Sequence, residues 1–154
     1  MGEAAGNPNQ WGCGGDGVRI YLAARYCEKN RMKQFREELI ERGHTVTSTW
    51  MNETYAPDVK MEDLSEDQMR YFANRDLDEI EESDVVFLFT VAPTTEIVRG
   101  GSIFEAGYAM GKGKKLLVIG PAQNIFLLLT VNKVSNWKGA KEWLSRQSNA
   151  NNDH

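Results

Sequence analysis

Apolar positions along this chain alternate between two spacings. Val18-Arg-Ile-Tyr-Leu-Ala23 is a short β-prone run and predicts a first strand. From about Glu28 to Arg42, the residues Met32, Phe35, Leu39 and Ile40 recur at helical spacing, and Gly43 stands where a helix C-terminal cap belongs. Thr45-Val-Thr-Ser-Thr-Trp50 is β-branched and predicts a second strand, followed by a loop to about Leu64. Ser65-Glu-Asp-Gln68 fits a capping box opening a second helix, with an apolar face of Met69, Phe72, Ala73, Leu77 and Ile80. Asp84-Val-Val-Phe-Leu-Phe-Thr90 is nearly all apolar, as a central parallel strand buried on both faces would be. Ser102-Ile-Phe-Glu105 fits a second capping box, for a helix to about Lys112. Lys115-Leu-Leu-Val-Ile119 reads as another buried strand, and Asn136 as the cap of a last helix through Leu144.

Strands and helices in this order, joined by short connections, predict an α/β fold. The expected form is an open, doubly wound, mostly parallel sheet with helices on both faces, flavodoxin- or Rossmann-like. Ligands of such sheets bind beyond the carboxyl ends of the strands. Three segments fall there: Ala23 to Cys27, the loop after Trp50, and Val91 to Ser102. We expect one domain over residues 18–145, a Gly-rich flexible lead over 1–17 and a flexible polar tail over 146–154.

Composition narrows the function. The net charge of −4 argues against a duplex nucleic-acid binder, which needs a basic footprint. No run approaches the length of a membrane span, and the first residues lack the pattern of a signal peptide. Two cysteines, Cys13 and Cys27, suggest a reducing, cytoplasmic setting, with Cys27 read as a small, partly buried residue. His44 and His154 are the two histidines, which makes a Ser-His-Asp triad or a His-rich metal site a poor fit; no metal is expected.

Three side chains stand out as candidate chemistry. Asp76 shares a helix face with Met69, Phe72, Ala73 and Ile80, where a carboxylate is costly unless paired. Either that edge is solvated or Asp76 faces a pocket. Glu105 follows Gly100-Gly101; it either completes a capping box with Ser102 or stands at an active site beyond the most buried strand. Tyr21 is either a core aromatic or a hydroxyl with a partner to serve. Arg25 and Arg99 lie at strand ends, as surface charges or as contacts for a phosphate or a base.

Arg19-Ile-Tyr-Leu-Ala-Ala-Arg25 resembles the opening strand of the nucleoside 2-deoxyribosyltransferase family. Asn74-Arg-Asp-Leu-Asp-Glu-Ile80, running into Ser83-Asp-Val-Val86, resembles its Asp-bearing helix and next strand. Arg99-Gly-Gly-Ser-Ile-Phe-Glu-Ala-Gly-Tyr-Ala109 resembles its Glu-bearing helix. Gly43-His-Thr-Val-Thr-Ser48 and the stretch from Gly120 to Phe126 look like a branch that includes cytidylate N-glycosidases.

The resemblance implies an enzyme that cleaves the N-glycosidic bond of a nucleoside or nucleoside 5′-monophosphate, by hydrolysis or by (deoxy)ribosyl transfer. It makes Glu105 the nucleophile, gives Asp76 the sugar or the leaving base, and has Tyr21 hydrogen-bond the catalytic carboxylate. It assigns the substrate to Ala23, Arg25, Arg99, Gly100, Gly101 and Ser102; in nucleotide-cleaving relatives this loop holds the 5′-phosphate, near Gly101 and Ser102, and in nucleoside-specific ones a neighbouring subunit contributes groups near the sugar. It implies no cofactor and a homo-oligomer.

Other readings compete. A dinucleotide-binding domain would need Gly-x-Gly-x-x-Gly after the first strand, where Ala23-Ala24-Arg25 stands. Phosphoribohydrolases with a Gly-Gly and downstream Glu space them more widely than Gly100-Gly101 to Glu105. A non-catalytic nucleotide sensor would share the fold, but binding alone needs no pair of buried carboxylates. An adaptor using the acidic stretch from Met51 to Asp67 has no specific support; that stretch is better read as a substrate lid.

Overall fold

A computed structural model describes residues 17–53, 63–90 and 100–152. Strand β1 is Arg19–Ala23, helix α1 Lys29–Glu41 and strand β2 Thr45–Val46. Helix α2 is Glu66–Glu82, strand β3 Val85–Phe89, helix α3 Gly101–Gly111 and strand β4 Lys115–Ile119. Strand β5 is Lys133–Val134 and helix α4 Trp137–Asn152. Among the described residues the strands form one parallel sheet in the order β2-β1-β3-β4-β5. The chain runs outward from β1 to β2, then returns past β1 to begin β3. The order therefore reverses between β1 and β3, where a crevice opens at the carboxyl ends. The expected α/β fold is the one observed.

Side-chain alternation sorts the core into two layers. Tyr21 pairs in register with Val86, and Leu22 with Phe87. Phe89 points to the α1 face, where Phe35 stacks on it with ring centroids 5.5 Å apart. Trp137 of α4 stacks on Phe35 at 4.1 Å and meets Phe87 edge-on. Helices α1 and α4 thus share one face, while α2 and α3 cover the other, where Tyr21 meets α3. All five residues of β3 are buried, as its apolar run requires.

The second strand is shorter than its β-branched run predicts. Thr47 still donates its N–H to the Ile20 carbonyl at 2.8 Å, but beyond it side chains finish the ladder. The Leu22 N–H bonds Ser48 Oγ at 3.1 Å, and the Trp50 indole bonds the Leu22 carbonyl at 2.7 Å. These bonds satisfy the last β1 peptides while Trp50–Asn52 coils into a 3-10 turn.

The capping box of α2 forms: Ser65 Oγ accepts from Gln68 N–H and Gln68 returns a bond to Ser65 N–H. Its predicted apolar face is buried only toward the C-terminal end. Ile80 is buried and Leu77 and Phe72 are half-buried, while Met69 and Ala73 are exposed. A 17-residue helix is about 26 Å long, against about 17 Å for a five-residue strand, so its N-terminal half overhangs the carboxyl end of the sheet. Ile40, expected on the inner face of α1, is also exposed.

Asn136 caps α4 as expected, its Oδ1 accepting from Gly139 N–H at 2.9 Å. The helix, however, runs beyond Leu144 to Asn152, through much of the stretch expected to be loose. Cys27 is exposed rather than partly buried. His44 plays a structural part, because its Nδ1 accepts from Val18 N–H at 3.1 Å, and burial lowers its pKa. No helix among the described residues is long and apolar enough to cross a membrane.

Candidate active site

The start of α3 departs from the sequence reading and thereby defines the site. Gly100 is the N-cap, with φ +82°, and no side chain caps the helix. The predicted Ser102–Glu105 capping box does not form, because Ser102 already lies inside the first turn. Left-handed backbone at Gly100 suits glycine, since a Cβ there costs roughly 1–2 kcal/mol. With the helix starting at Gly101, one residue before Ser102, the Glu105 side chain turns inward to the sheet. There the Tyr21 hydroxyl donates to Glu105 Oε2. Tyr21 is fully buried and Glu105 half-buried, so the pair joins the middle of β1 to the helix after β3, across the switch point.

Burial dominates the electrostatics. It pushes the Glu105 carboxyl up to about 8; the Tyr21 bond opposes this and the nearby Asp76 and Glu79 charges add to it. The Tyr21 phenol is driven far above its usual range by burial and by Glu105, so it stays protonated and serves as a donor. Asp76 is also raised, first by burial, with Arg75 pulling the other way.

Asp76 is half-buried, and its charge acts on both Glu105 and Tyr21. Its partner is a residue that the sequence reading missed. Arg75 donates to Asp76 Oδ1 from Nε at 3.1 Å and Nη2 at 2.7 Å. The same guanidinium pairs with Glu53 and lies 3.6 Å from Glu79 Oε1. Glu79, also missed, is buried and accepts from the Thr49 N–H at 3.1 Å and from the Thr49 hydroxyl. Spacing carried a signal for both: Glu79 stands at i+4 from Arg75 and i+3 from Asp76, on one helix face. Glu53 comes from a different segment and had no local signal.

Ala23 ends β1 fully buried, and Arg25 follows it half-buried, 3.8 Å from Glu28 Oε1. Gly100 and Gly101 border open space, with no atom within 4 Å of where a Cβ would sit. Arg99 and most of the stretch from Val91 lie outside the described residues. Gly120 closes the neighbouring strand end at φ +114°; a Cβ there would sit 2.5 Å from Thr90 Oγ1. Among the described residues no group of three or more His, Cys, Asp or Glu side chains is arranged to hold a metal ion.

The arrangement offers a carboxylate oriented by a phenol, a second carboxylate held by an arginine, and a helix N-terminus with room for an anion. The family model of the nucleoside 2-deoxyribosyltransferases matches residues 20–137. No curated protein is significantly similar in sequence. Among solved structures, the 2-deoxyribosyltransferase of Bacillus psychrosaccharolyticus is 21% identical, with a TM-score of 0.60 over 80% of this chain and 90% of that one. The CMP N-glycosidase BcmB of Clostridium botulinum is 26% identical, with a TM-score of 0.47 over 83% of this chain and 95% of that one. With its family match spanning most of its length and both sides of the crevice, this chain belongs to the nucleoside 2-deoxyribosyltransferase family, a family of enzymes.

Proposed function

We propose that this protein cleaves the N-glycosidic bond of a nucleoside or nucleoside 5′-monophosphate, with Glu105 as the nucleophile. The observation that carries the reading is the Tyr21–Glu105 hydrogen bond at the switch point of the sheet. A capping or surface glutamate would have no reason to bury its carboxylate against a phenol.

In this scheme a Glu105 oxygen attacks the anomeric carbon as the carbon–nitrogen bond breaks, and the bonding pair leaves with the base. The transition state has oxocarbenium character, so an anionic carboxylate beneath it is favoured. The same positive charge offsets the burial that raises the Glu105 carboxyl to about 8. Asp76 positions the sugar or gives a proton to the departing base. Water then attacks the glycosyl ester to give hydrolysis, or a second base attacks to give transfer; either restores the free Glu105 carboxylate.

A 5′-phosphate fits at Gly100, Gly101 and Ser102. The first N–H groups of α3 lack intrahelical partners and point outward with the positive end of the helix dipole. Arg25 and Arg99 are the cations nearest in sequence to the strand ends.

The protein acts as a homo-oligomer in this reading. Ile125, Phe126, Leu128 and Leu129 of the 3-10 helix Ile125–Leu129, and Val131 just after it, are 62–91% exposed between β4 and β5. Five such side chains form a large apolar patch for a monomer, and a second copy is the occupant we infer. Light scattering on the eluting protein tests this, and a monomer at micromolar concentration refutes it.

The test of activity is base release from a panel of nucleosides and nucleoside 5′-monophosphates, with and without an acceptor base. Release from monophosphates without acceptor marks a nucleotide N-glycosidase. Exchange only with acceptor marks a transferase. Tight nucleotide binding without turnover of any substrate refutes catalysis and favours a sensor.

A further inference from the structure

Arg75 takes no part in the scheme above, yet it is the cation on which the site's acids converge. Its guanidinium reaches Asp76, Glu53 and Glu79. It also lies over the Phe72 ring, 5.0 Å from the centroid, which holds its plane. Glu79 is fixed from the other side by the Thr49 N–H and hydroxyl. Arg75 and Thr49 thus lash the inward face of α2 to the segment that follows β2.

We propose that Arg75 is a positioning residue: its forked donors fix the Asp76 carboxylate in one orientation toward the substrate and keep it charged beside three other acids. The proposal rests on the role given to Asp76 above. Among the described residues, the groups facing Asp76 are Arg75 and Glu79 on its own helix, Glu53 after the 3-10 turn, Glu105 on α3 and Tyr21 on β1. Arg75 is the single cation among them. Both of its bonds to Asp76 end on Oδ1, from Nε and Nη2. Oδ2 is thereby left to turn toward a ligand. A lysine would keep the charge but lose the fork.

The experiment compares Arg75→Gln, Arg75→Lys and, as a control on the same helix, Arg70→Gln, whose arginine is exposed. Two readouts are taken: kcat and KM for base release across pH, and the titration of the Asp76 carboxyl followed by carbon NMR. In Arg75→Gln, kcat/KM falls roughly 10- to 100-fold, as for loss of a charge-assisted hydrogen bond, and the Asp76 titration moves to higher pH. In Arg75→Lys the titration returns toward wild type while kcat stays reduced, because charge is restored without orientation. Arg70→Gln changes neither. An Asp76 titration unmoved in folded Arg75→Gln overturns the proposal, and so does wild-type kcat in Arg75→Lys. If Arg75→Gln does not fold, Arg75→Lys decides the matter alone. A wild type that releases no base refutes the proposed function, while the NMR titration still judges Arg75.

Discussion

Replacing Tyr21 by Phe removes one oxygen from a fully buried ring and leaves the packing of β1 intact. The lost hydroxyl is the donor to Glu105 Oε2, and this bond holds the carboxyl pKa down against burial. A hydrogen bond to a charged group is worth about 1.5–3 kcal/mol, or roughly 1–2 pKa units at 1.36 kcal/mol each. The Glu105 carboxyl, at about 8 in the wild type, therefore rises by that amount in Tyr21→Phe. The proposed mechanism needs the ionised form, so kcat/KM is expected to climb with pH through this value. At pH 7 the variant loses roughly 10- to 100-fold in kcat/KM, and the loss shrinks as pH passes the displaced limb.

Stability provides a second readout with its own sign. A carboxyl raised from 4.5 to about 8 in the folded state stabilises fully below 4.5, and that contribution is lost as pH rises through 8. Tyr21→Phe extends the loss to higher pH, so urea melts at pH 5 and pH 9 diverge more in the variant than in the wild type. The assay is the kcat/KM profile for base release from pH 5 to 10, with the melts beside it. A pH-independent drop with an unmoved limb refutes the reasoning, as does a limb displaced downward.

Two further substitutions test the frame that holds the site. Trp137→Ala removes the ring stacked 4.1 Å from Phe35 and the indole bond to Glu38, and costs about 3–5 kcal/mol by urea melt. It lies on the face opposite Glu105, so kcat/KM of the folded fraction at low temperature stays within about twofold of wild type, the scatter allowed for independent sites. Gly120→Ala puts a Cβ 2.5 Å from Thr90 Oγ1 at φ +114° and costs about 2–4 kcal/mol in the same measurement.

The sequence carried the frame and half of the site. The strands β1, β3 and β4 and the opening of α2 were legible because apolar runs and a capping box are local signals. The end of β2 was not, because Ser48 and Trp50 replace ladder bonds with side-chain bonds that no propensity records. The N-terminal half of α2 misled, because its apolar residues overhang the sheet rather than pack on it. Glu105 satisfied the pattern of a capping box, and only the early start of α3 at Gly101 shows that it turns inward. Arg75 and Glu79 were overlooked because charged residues on a helix are usually solvated. Their burial follows from convergence with Glu53 and Thr49, a tertiary fact.

The central claim is that Glu105 is the nucleophile, and the most direct test is base release by Glu105→Gln. Glutamine keeps the size and the contact with Tyr21 but cannot ionise or form the glycosyl ester. The account predicts a fall of roughly 10³-fold or more in turnover with substrate still bound and the fold intact. It also predicts that stability no longer falls between pH 4.5 and 8. Turnover by Glu105→Gln at the wild-type rate would contradict it.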